Sequence, residues 1–267
     1  MGSLAYERRG AGPALVLVHG VGHRRQAWGA VMDLLAPHRT VIAVDLPGHG
    51  ESPPLGAARG RDAIAAIVGE LSAFFGELGL DRPHVAGNSL GGALALIAGA
   101  TGSAQSVTAL SPAGFWARSW QFPYAKAVFM SAQLAGPVVR PLIPHLARST
   151  VGRYVMDGPF VAKPGDMPPA QAEDDGIAFF DASHAVAAVL AEKADFTLTV
   201  PADVPVTIAW GAKDRILPPS QAALARRRVP HARIVQLPGC GHVPMTDDPG
   251  LVARVLLDGS AQDGPAA

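Results

Sequence analysis

The chain of 267 residues contains a single cysteine, Cys240, which excludes an internal disulfide and any C-x-x-C metal knuckle. It also has no excess of charge of either sign, since Lys plus Arg and Asp plus Glu both number 22. A net charge of zero gives no global electrostatic reason to bind nucleic acid or an anionic membrane. We therefore expect a small neutral or apolar molecule as the substrate, and no nucleic-acid or membrane partner.

Long apolar runs are missing too. No stretch approaches the roughly 18 apolar residues that span a bilayer, and the opening MGSLAYERRG lacks the basic and apolar regions of a secretory signal. The H-E-x-x-H metal pattern and the G-x-x-x-x-G-K-[ST] phosphate pattern are also absent. These absences predict a cytoplasmic protein with no metal and no cofactor, and they leave its oligomeric state open.

Short runs rich in Val, Ile and Leu predict the strands of a buried parallel sheet, because such strands are apolar on both faces. The runs are residues 14–20, 40–45, 84–89, 106–112, 205–211 and 232–239. Helical patterns lie between them, most clearly over 62–80, where apolar residues recur at helical spacing. The alternation predicts an α/β fold.

The alternation stops after Pro112 and resumes near Pro201, and this interval holds 11 of the 16 aromatic residues. We expect a helical cap at 113–200, inserted into a core formed by 1–112 and 201–258. The glycine- and alanine-rich end, 259–267, is expected to be a flexible tail.

The segment VAGNSLGG contains the pattern G-x-S-x-G around Ser89, after a predicted strand and before a run of small helix-forming residues. In a nucleophile elbow the serine occupies a strained turn, and small neighbours let strand and helix approach closely. An ordinary glycine-rich turn is the alternative for this stretch alone.

A serine hydroxyl becomes a nucleophile when a base takes its proton and a third group orients that base. His242 follows the last predicted strand, and Asp214 follows the strand before it. Both residues are expected at the carboxyl edge of the sheet, within reach of Ser89. The chain order Ser89, Asp214, His242 is the order that such hydrolases use.

Five motifs together make the chain resemble proteins of the α/β-hydrolase fold. They are HGVG at 19–22, DLPGHGES at 45–52, GNSLGG at 87–92, GAKDRILP at 211–218 and GCGHVP at 239–244. The resemblance implies a mostly parallel central sheet flanked by helices, with an inserted helical cap. It also implies that Ser89 is the nucleophile, His242 the general base and then acid, and Asp214 the group that orients His242.

The resemblance further implies an oxyanion hole made by the backbone N–H groups of Val21 and Leu90. By the same comparison His19 organises the loop that carries Val21. Asp45 is a second candidate for the acid, but its motif resembles a structural turn of the family. Cys240 is interpreted as a small buried side chain rather than a nucleophile.

The resemblance limits the possible reactions but does not identify a single one. Serine at position 89 argues against the dehalogenases and epoxide hydrolases of this fold, which use aspartate there. We favour hydrolysis of a carboxylic ester, thioester or lactone of a small, largely apolar substrate. Hydrolysis of a C–C bond in a vinylogous diketone stays open because GNSLGG resembles GNSMGG of those enzymes, although Val243 stands where they usually carry an aromatic residue.

A ligand-binding protein with little turnover is an alternative of another class, because a fold does not dictate its function. For either class, the aromatic residues of the cap predict an apolar pocket next to Ser89. Trp116 and Phe122 are the first candidates to line it, since they follow soon after the strand that ends near Ser111.

Overall fold

The computed structural model describes residues 4–261. Seven strands form one sheet in the order β1-β3-β2-β4-β5-β6-β7. β1 is antiparallel to β3 and every other pair is parallel. The strands are β1 Tyr6–Arg9, β2 Ala14–Val18, β3 Thr40–Val44, β4 His84–Asn88, β5 Ser106–Leu110, β6 Val206–Gly211 and β7 Arg233–Leu237. The six predicted strands and the predicted fold class are thus confirmed.

The sheet is covered by helices on both faces, and the alternation along β2 shows why. Val16 and Val18 join one buried cluster, with side chains of α2 and α3, while Leu15 and Leu17 join the other, with side chains of α1 and α11. Successive strand residues point to opposite faces, so a strand between two helical layers is apolar throughout. The helices are α1 Gly29–Leu35, α2 Arg61–Glu77, α3 Leu90–Ala100, α4 Gln121–Val139, α5 Ile143–Arg148, α6 Thr150–Asp157, α7 Pro169–Asp181, α8 Ser183–Val189, α9 Ala222–Arg228, α10 Pro244–Asp247 and α11 Pro249–Ser260.

Five consecutive helices, α4 to α8, lie between β5 and β6, and the described chain has no strand there. We call this part of the chain the helical insert. Within residues 4–261, no helix is long and apolar enough to cross a bilayer.

The carboxyl end of the chain corrects one prediction. Helix α11 continues through Ser260, and both Gly259 and Ser260 are buried. Arg39 donates hydrogen bonds to the Ser260 hydroxyl and carbonyl oxygens at 3.1 and 3.2 Å. The predicted tail therefore does not begin at residue 259, and its last six positions, 262–267, lie outside the described residues.

Candidate active site

Ser89 occupies the turn between β4 and α3, with φ 56° and ψ −115°. Non-glycine residues rarely adopt this backbone region, and strain of this kind clusters at functional sites. The neighbouring glycines explain how the turn fits. A Cβ on Gly91 would lie 2.1 Å from the Val18 carbonyl oxygen, and a Cβ on Gly87 would lie 2.3 Å from the Gly91 carbonyl carbon. Glycine is thus required at both positions for the strand and helix to meet.

Two backbone amides near Ser89 have no hydrogen-bond partner in the described part of the chain. Leu90 is the first residue of α3, and Val21 follows β2 in the loop beside the Ser89 turn. Neither amide donates a hydrogen bond to another residue within 4–261. Val21 lines a cavity that Ser89 also lines, whereas Leu90 has a buried side chain and does not line that cavity. Free amides at a helix start favour an anionic oxygen.

His242 and Asp214 are in direct contact. Nδ1 of His242 lies 2.9 Å from Oδ2 of Asp214, and both side chains are almost fully buried. The backbone N–H groups of Ile216 and Leu217 donate to the other carboxylate oxygen at 2.9 and 2.8 Å. Because a carboxylate only accepts, Nδ1 of His242 must carry the proton in this pair, and Nε2 is left as an acceptor.

The second ring nitrogen of His242, Nε2, is not used by Asp214. Nε2 is buried and has no hydrogen-bond partner among the described residues. His242 and Ser89 line one cavity. The structure thus brings a serine, a histidine with an available lone pair and a buried carboxylate to one edge of the sheet, as the order of these residues along the chain predicts.

Backbone contacts hold the His242 loop in place. The Asn88 side-chain amide donates to the His242 carbonyl oxygen at 2.9 Å, which joins the loop to the end of β4. The His242 amide donates to the Phe160 carbonyl oxygen at 2.7 Å, which joins it to the helical insert. The Gly241 amide donates to Asp247 at 2.7 Å. The ring position is therefore fixed from three directions.

The second candidate acid, Asp45, belongs to a different structure. Its carboxylate accepts from the Arg25 guanidinium and backbone amide, and from the Glu51 amide at 3.0 Å. The side chain is fully buried. These bonds close the 45–52 turn. The carboxylate of Asp45 is therefore bonded to groups of that turn and its surroundings, whereas the carboxylate of Asp214 is bonded to His242.

Two buried histidines shape the loop that carries Val21. Nε2 of His19 accepts from the Leu46 amide at 2.9 Å, so its Nδ1–H donates to the Gly20 carbonyl oxygen at 2.7 Å. Nε2 of His49 accepts from the Gly22 amide at 3.0 Å. Burial lowers the pKa of His19 well below its usual 6.5 and that of His49 to about 4. Both rings are therefore neutral and support the loop. His49, in the motif DLPGHGES at 45–52, shares the role expected of His19, and the sequence analysis did not assign it that role.

The cavity beside Ser89 has a volume of about 280 Å³ and an apolar wall. Its aromatic side chains all come from the helical insert: Phe129, Phe160, Phe179 and Phe180. Cavities of this kind, with few polar groups, are typical of small-molecule sites. Four aromatic rings of the cavity wall thus support the expectation that the insert supplies its aromatic side chains.

The two rings chosen from the sequence are not among those that line the cavity. Trp116 and Phe122 pack edge to face at 5.2 Å, and the Trp116 indole donates to the Ala194 carbonyl oxygen at 2.6 Å. They lie where the chain leaves β5 and enters α4, so they pack against the core cluster. This corrects the prediction that they bind substrate.

Two carboxyl groups in the cavity wall were missed by the sequence analysis. Asp157 and Asp175 both line the cavity, and its lining contains no lysine or arginine. Oδ2 of Asp157 is buried without a hydrogen-bond partner in residues 4–261. Burial, helped by the charge of Asp175, raises the pKa of Asp157 from its usual 3.8 to about 7. No motif around either residue marks it, because only the packing of α6 and α7 brings them together.

Cys240 has no part in this wall. It is fully buried, and burial raises the pKa of its thiol to about 11. A thiol of that pKa is a poor nucleophile near neutral pH. The described residues also contain no group of three or more His, Cys, Asp or Glu side chains that could hold a metal ion.

Comparison with known proteins gives one consistent result. The profile of the alpha/beta hydrolase family matches residues 15–255. The pimeloyl-[acyl-carrier protein] methyl ester esterase of Xanthomonas campestris is 29% identical, over 92% of this chain and 94% of that protein. A thermophilic esterase from Thermogutta terrifontis superposes with a TM-score of 0.74 at 23% identity, covering 96% and 92% of the two chains.

A second solved structure of similar fold is a hydrolase named for another substrate. The 2-hydroxy-6-oxo-6-phenylhexa-2,4-dienoate hydrolase of Rhodococcus superposes with a TM-score of 0.70 at 19% identity, covering 97% of this chain and 99% of that one. At such identities the structural likeness shows a common fold only.

Proposed function

We propose that this chain, which belongs to the alpha/beta hydrolase family, is a serine hydrolase that cleaves a carboxylic ester, thioester or lactone of a small, largely apolar substrate. The observation that carries the proposal is that a strained Ser89 and His242, whose Nε2 has no partner among the described residues, line one cavity. Asp214 is hydrogen-bonded to the other ring nitrogen of His242.

In the proposed reaction, Nε2 of His242 takes the proton of Ser89 while Oγ attacks the carbonyl carbon. The N–H groups of Val21 and Leu90 donate hydrogen bonds to the carbonyl oxygen as negative charge develops on it. His242 then gives its proton to the leaving oxygen or sulfur, and an acyl-enzyme remains. Water, deprotonated by the same ring, releases the acid. Loss of one oxyanion donor typically costs about 3–4 kcal/mol of transition-state stabilisation.

The charge of the cavity wall supports uncharged substrates. The lining offers two carboxyl groups and no basic side chain other than histidine to receive an anion. Burying an unpaired carboxylate on the substrate beside these groups is costly. This favours ester hydrolysis over cleavage of an anionic diketone such as a dienoate, and agrees with Val243 after His242.

An active-site fluorophosphonate tests the proposal against a ligand-binding protein with little turnover. We expect rapid one-to-one labelling at Ser89, lost in Ser89→Ala. Ser111→Ala is the matched control, since Ser111 directly follows the neighbouring strand β5, also has a positive φ of 42°, and is absent from the cavity wall. It should label like the wild type.

The labelled chemistry must then appear as turnover. Assays of neutral acyl esters of graded size should give hydrolysis that Ser89→Ala lowers by about a million-fold. Slow or substoichiometric labelling of the folded wild type, or a folded Ser89→Ala variant with more than a tenth of wild-type activity, contradicts the mechanism.

A further inference from the structure

Helix α6 has its polar and apolar faces reversed. Val151 and Val155 are 72% and 69% exposed, whereas Arg153 is only 7% exposed. The Arg153 guanidinium donates three hydrogen bonds, at 2.8 to 3.1 Å, to backbone carbonyl oxygens. A surface helix ordinarily turns its apolar stripe to the core. Here the apolar stripe faces the solvent, and the buried side of the helix carries Arg153, whose guanidinium is hydrogen-bonded to backbone carbonyl oxygens.

Helix α4 carries a second outward-facing apolar stripe. Met130, Leu134 and Val138 follow one another at a spacing of four, which places them on one side of the helix. Leu134 is 84% exposed. We define the apolar surface as the exposed large apolar side chains of α6, of the second half of α4 (residues 130–139) and of the turn between α4 and α5, namely Met130, Leu134, Val138, Leu142, Val151, Tyr154 and Val155.

The concentration of these side chains is unusual. The described residues have 12 exposed large apolar side chains, and seven of them belong to the apolar surface. Single exposed apolar residues are normal, but a group of this kind marks a contact site.

The apolar surface adjoins the cavity that contains Ser89. Ala135 and Val139 of α4 and Val155 of α6 line that cavity, and both Ala135 and Val155 are exposed to solvent. Residues next to the α4 stripe and one residue of the α6 stripe therefore form part of the cavity wall. An apolar molecule held against this surface would have a continuous apolar route to Ser89.

Charge indicates which partner fits. Residues 121–156 contain four lysine and arginine side chains and no aspartate or glutamate. Arg153 is buried and Arg140 pairs with Asp181 at 2.8 Å, which leaves Lys126 and Arg148 without an ion pair among the described residues. The Lys126 ammonium donates to the Ala191 carbonyl oxygen at 3.5 Å, a neutral partner that leaves its charge in place. Basic side chains beside an exposed apolar face are typical of helices that bind anionic lipid. A symmetric dimer through the same face would instead bring like charges together.

We propose that the apolar surface docks on an anionic lipid bilayer, with α4 and α6 at the headgroup level and the cavity opening toward the lipid. The expectation of no membrane partner rests on the net charge of the whole chain, which hides the local excess of basic residues in 121–156. The proposal does not depend on the reaction at Ser89.

Flotation of the full chain with vesicles tests the proposal. We expect binding to equimolar phosphatidylglycerol and phosphatidylcholine, weaker binding to phosphatidylcholine alone, and a decrease with salt. The combined change Leu134→Gln, Val138→Gln and Val151→Gln should lower the partition coefficient by about tenfold or more. Leu34→Gln with Leu198→Gln is the matched control, because these exposed apolar residues lie outside the apolar surface; it should bind like the wild type.

Two results would overturn the docking proposal. One is equal flotation of the wild type and the triple variant. The other is a wild type that does not bind the anionic vesicles. A wild type that instead forms a dimer in solution, which the triple variant makes monomeric, is one case of this second result. Fluorophosphonate labelling of Ser89 in the triple variant should stay at the wild-type rate in either case, since none of the three changed side chains lines the cavity. Failure of docking is thereby separated from failure of the proposed hydrolysis.

Discussion

The carboxyl edge of the sheet and the helical insert hold their residues in different ways. At the edge, seven of the 11 residues of α3 are buried, and backbone atoms approach closely around Ser89. In the insert, only four of the 19 residues of α4 are buried. A tightly packed region transmits any change in shape, whereas a loosely packed one absorbs it. Changes at the edge should therefore abolish function or folding, and changes in the insert should give graded effects.

The carboxylates differ in the same way. Asp45 and Asp214, at the edge, each accept several hydrogen bonds from fixed donors. Oδ2 of Asp157, in the insert, is buried with no partner in residues 4–261. The first two stabilise one geometry, while the third leaves a polar group facing the cavity.

After the loss of Ser89 itself, the largest expected effect comes from the acid. Asp214→Asn should lower kcat by about ten-thousandfold, which is about 5 kcal/mol, because an amide favours the wrong tautomer of His242. Steady-state kinetics with a neutral ester measures it. Asp45→Asn is the control and should act on stability while kcat is largely kept. A folded Asp45→Asn enzyme that is inactive beside an active Asp214→Asn enzyme would reverse the assignment.

The close approach beneath Ser89 predicts the next largest effect. Gly91→Ala should lower the free energy of unfolding by about 3 kcal/mol or more, because its Cβ would overlap the Val18 carbonyl oxygen. Gly69→Ala is the matched control, since a Cβ there meets nothing within 4 Å in helix α2, and it should stabilise by about 0.5–1 kcal/mol. Urea unfolding gives both values. Equal effects of the two changes would show that the turn is not tightly packed.

Asp157 predicts a smaller, pH-dependent effect. Its folded pKa of about 7 lies above the usual 3.8, so the folded state binds more protons and this group destabilises the protein as pH rises from about 4 to about 7. Asp157→Asn should match the wild type near the lower pH and exceed its free energy of unfolding by about 2–3 kcal/mol near the higher pH.

Urea unfolding at both pH values measures the Asp157 effect. Asp258→Asn changes an exposed carboxyl that pairs loosely with Arg233 at 3.7 Å, and it should keep the wild-type pH dependence. An Asp157→Asn variant whose stability varies with pH as the wild type does would remove Asp157 as the source.

The contrast between the two regions also explains which features of the structure can be predicted from the sequence and which cannot. The edge follows local rules: glycines mark the turn at Ser89, and polar residues that end parallel strands meet at one side of the sheet. The strand that the sequence analysis missed, β1, has the sequence YERR, whose alternating exposure is that of a charged edge strand.

The insert is less predictable from sequence because helix rotation decides which side chains face the cavity. Trp116 and Phe122 satisfy the same composition rule as Phe179, but only Phe179 lines the cavity. The pairing of Asp157 with Asp175 depends in the same way on how α6 and α7 pack. Net charge fails there too, because it averages the basic segment 121–156 with the rest of the chain.

The smallest expected effect tests recognition by the insert. Phe179 is the central ring of the cavity wall, within 6.3 Å of Phe129, Phe160 and Phe180, and it packs against Gly22 of the loop beside Ser89. Phe179→Ala should lower kcat/KM for a bulky neutral ester about tenfold, through lost apolar contact, and leave that for an acetate ester nearly unchanged. Trp116→Ala, which removes a ring of the same segment outside the cavity, should reduce stability but keep the ratio of the two kcat/KM values. If Trp116→Ala changes that ratio as much as Phe179→Ala does, the insert selects substrate through its overall packing and not through the rings that face Ser89.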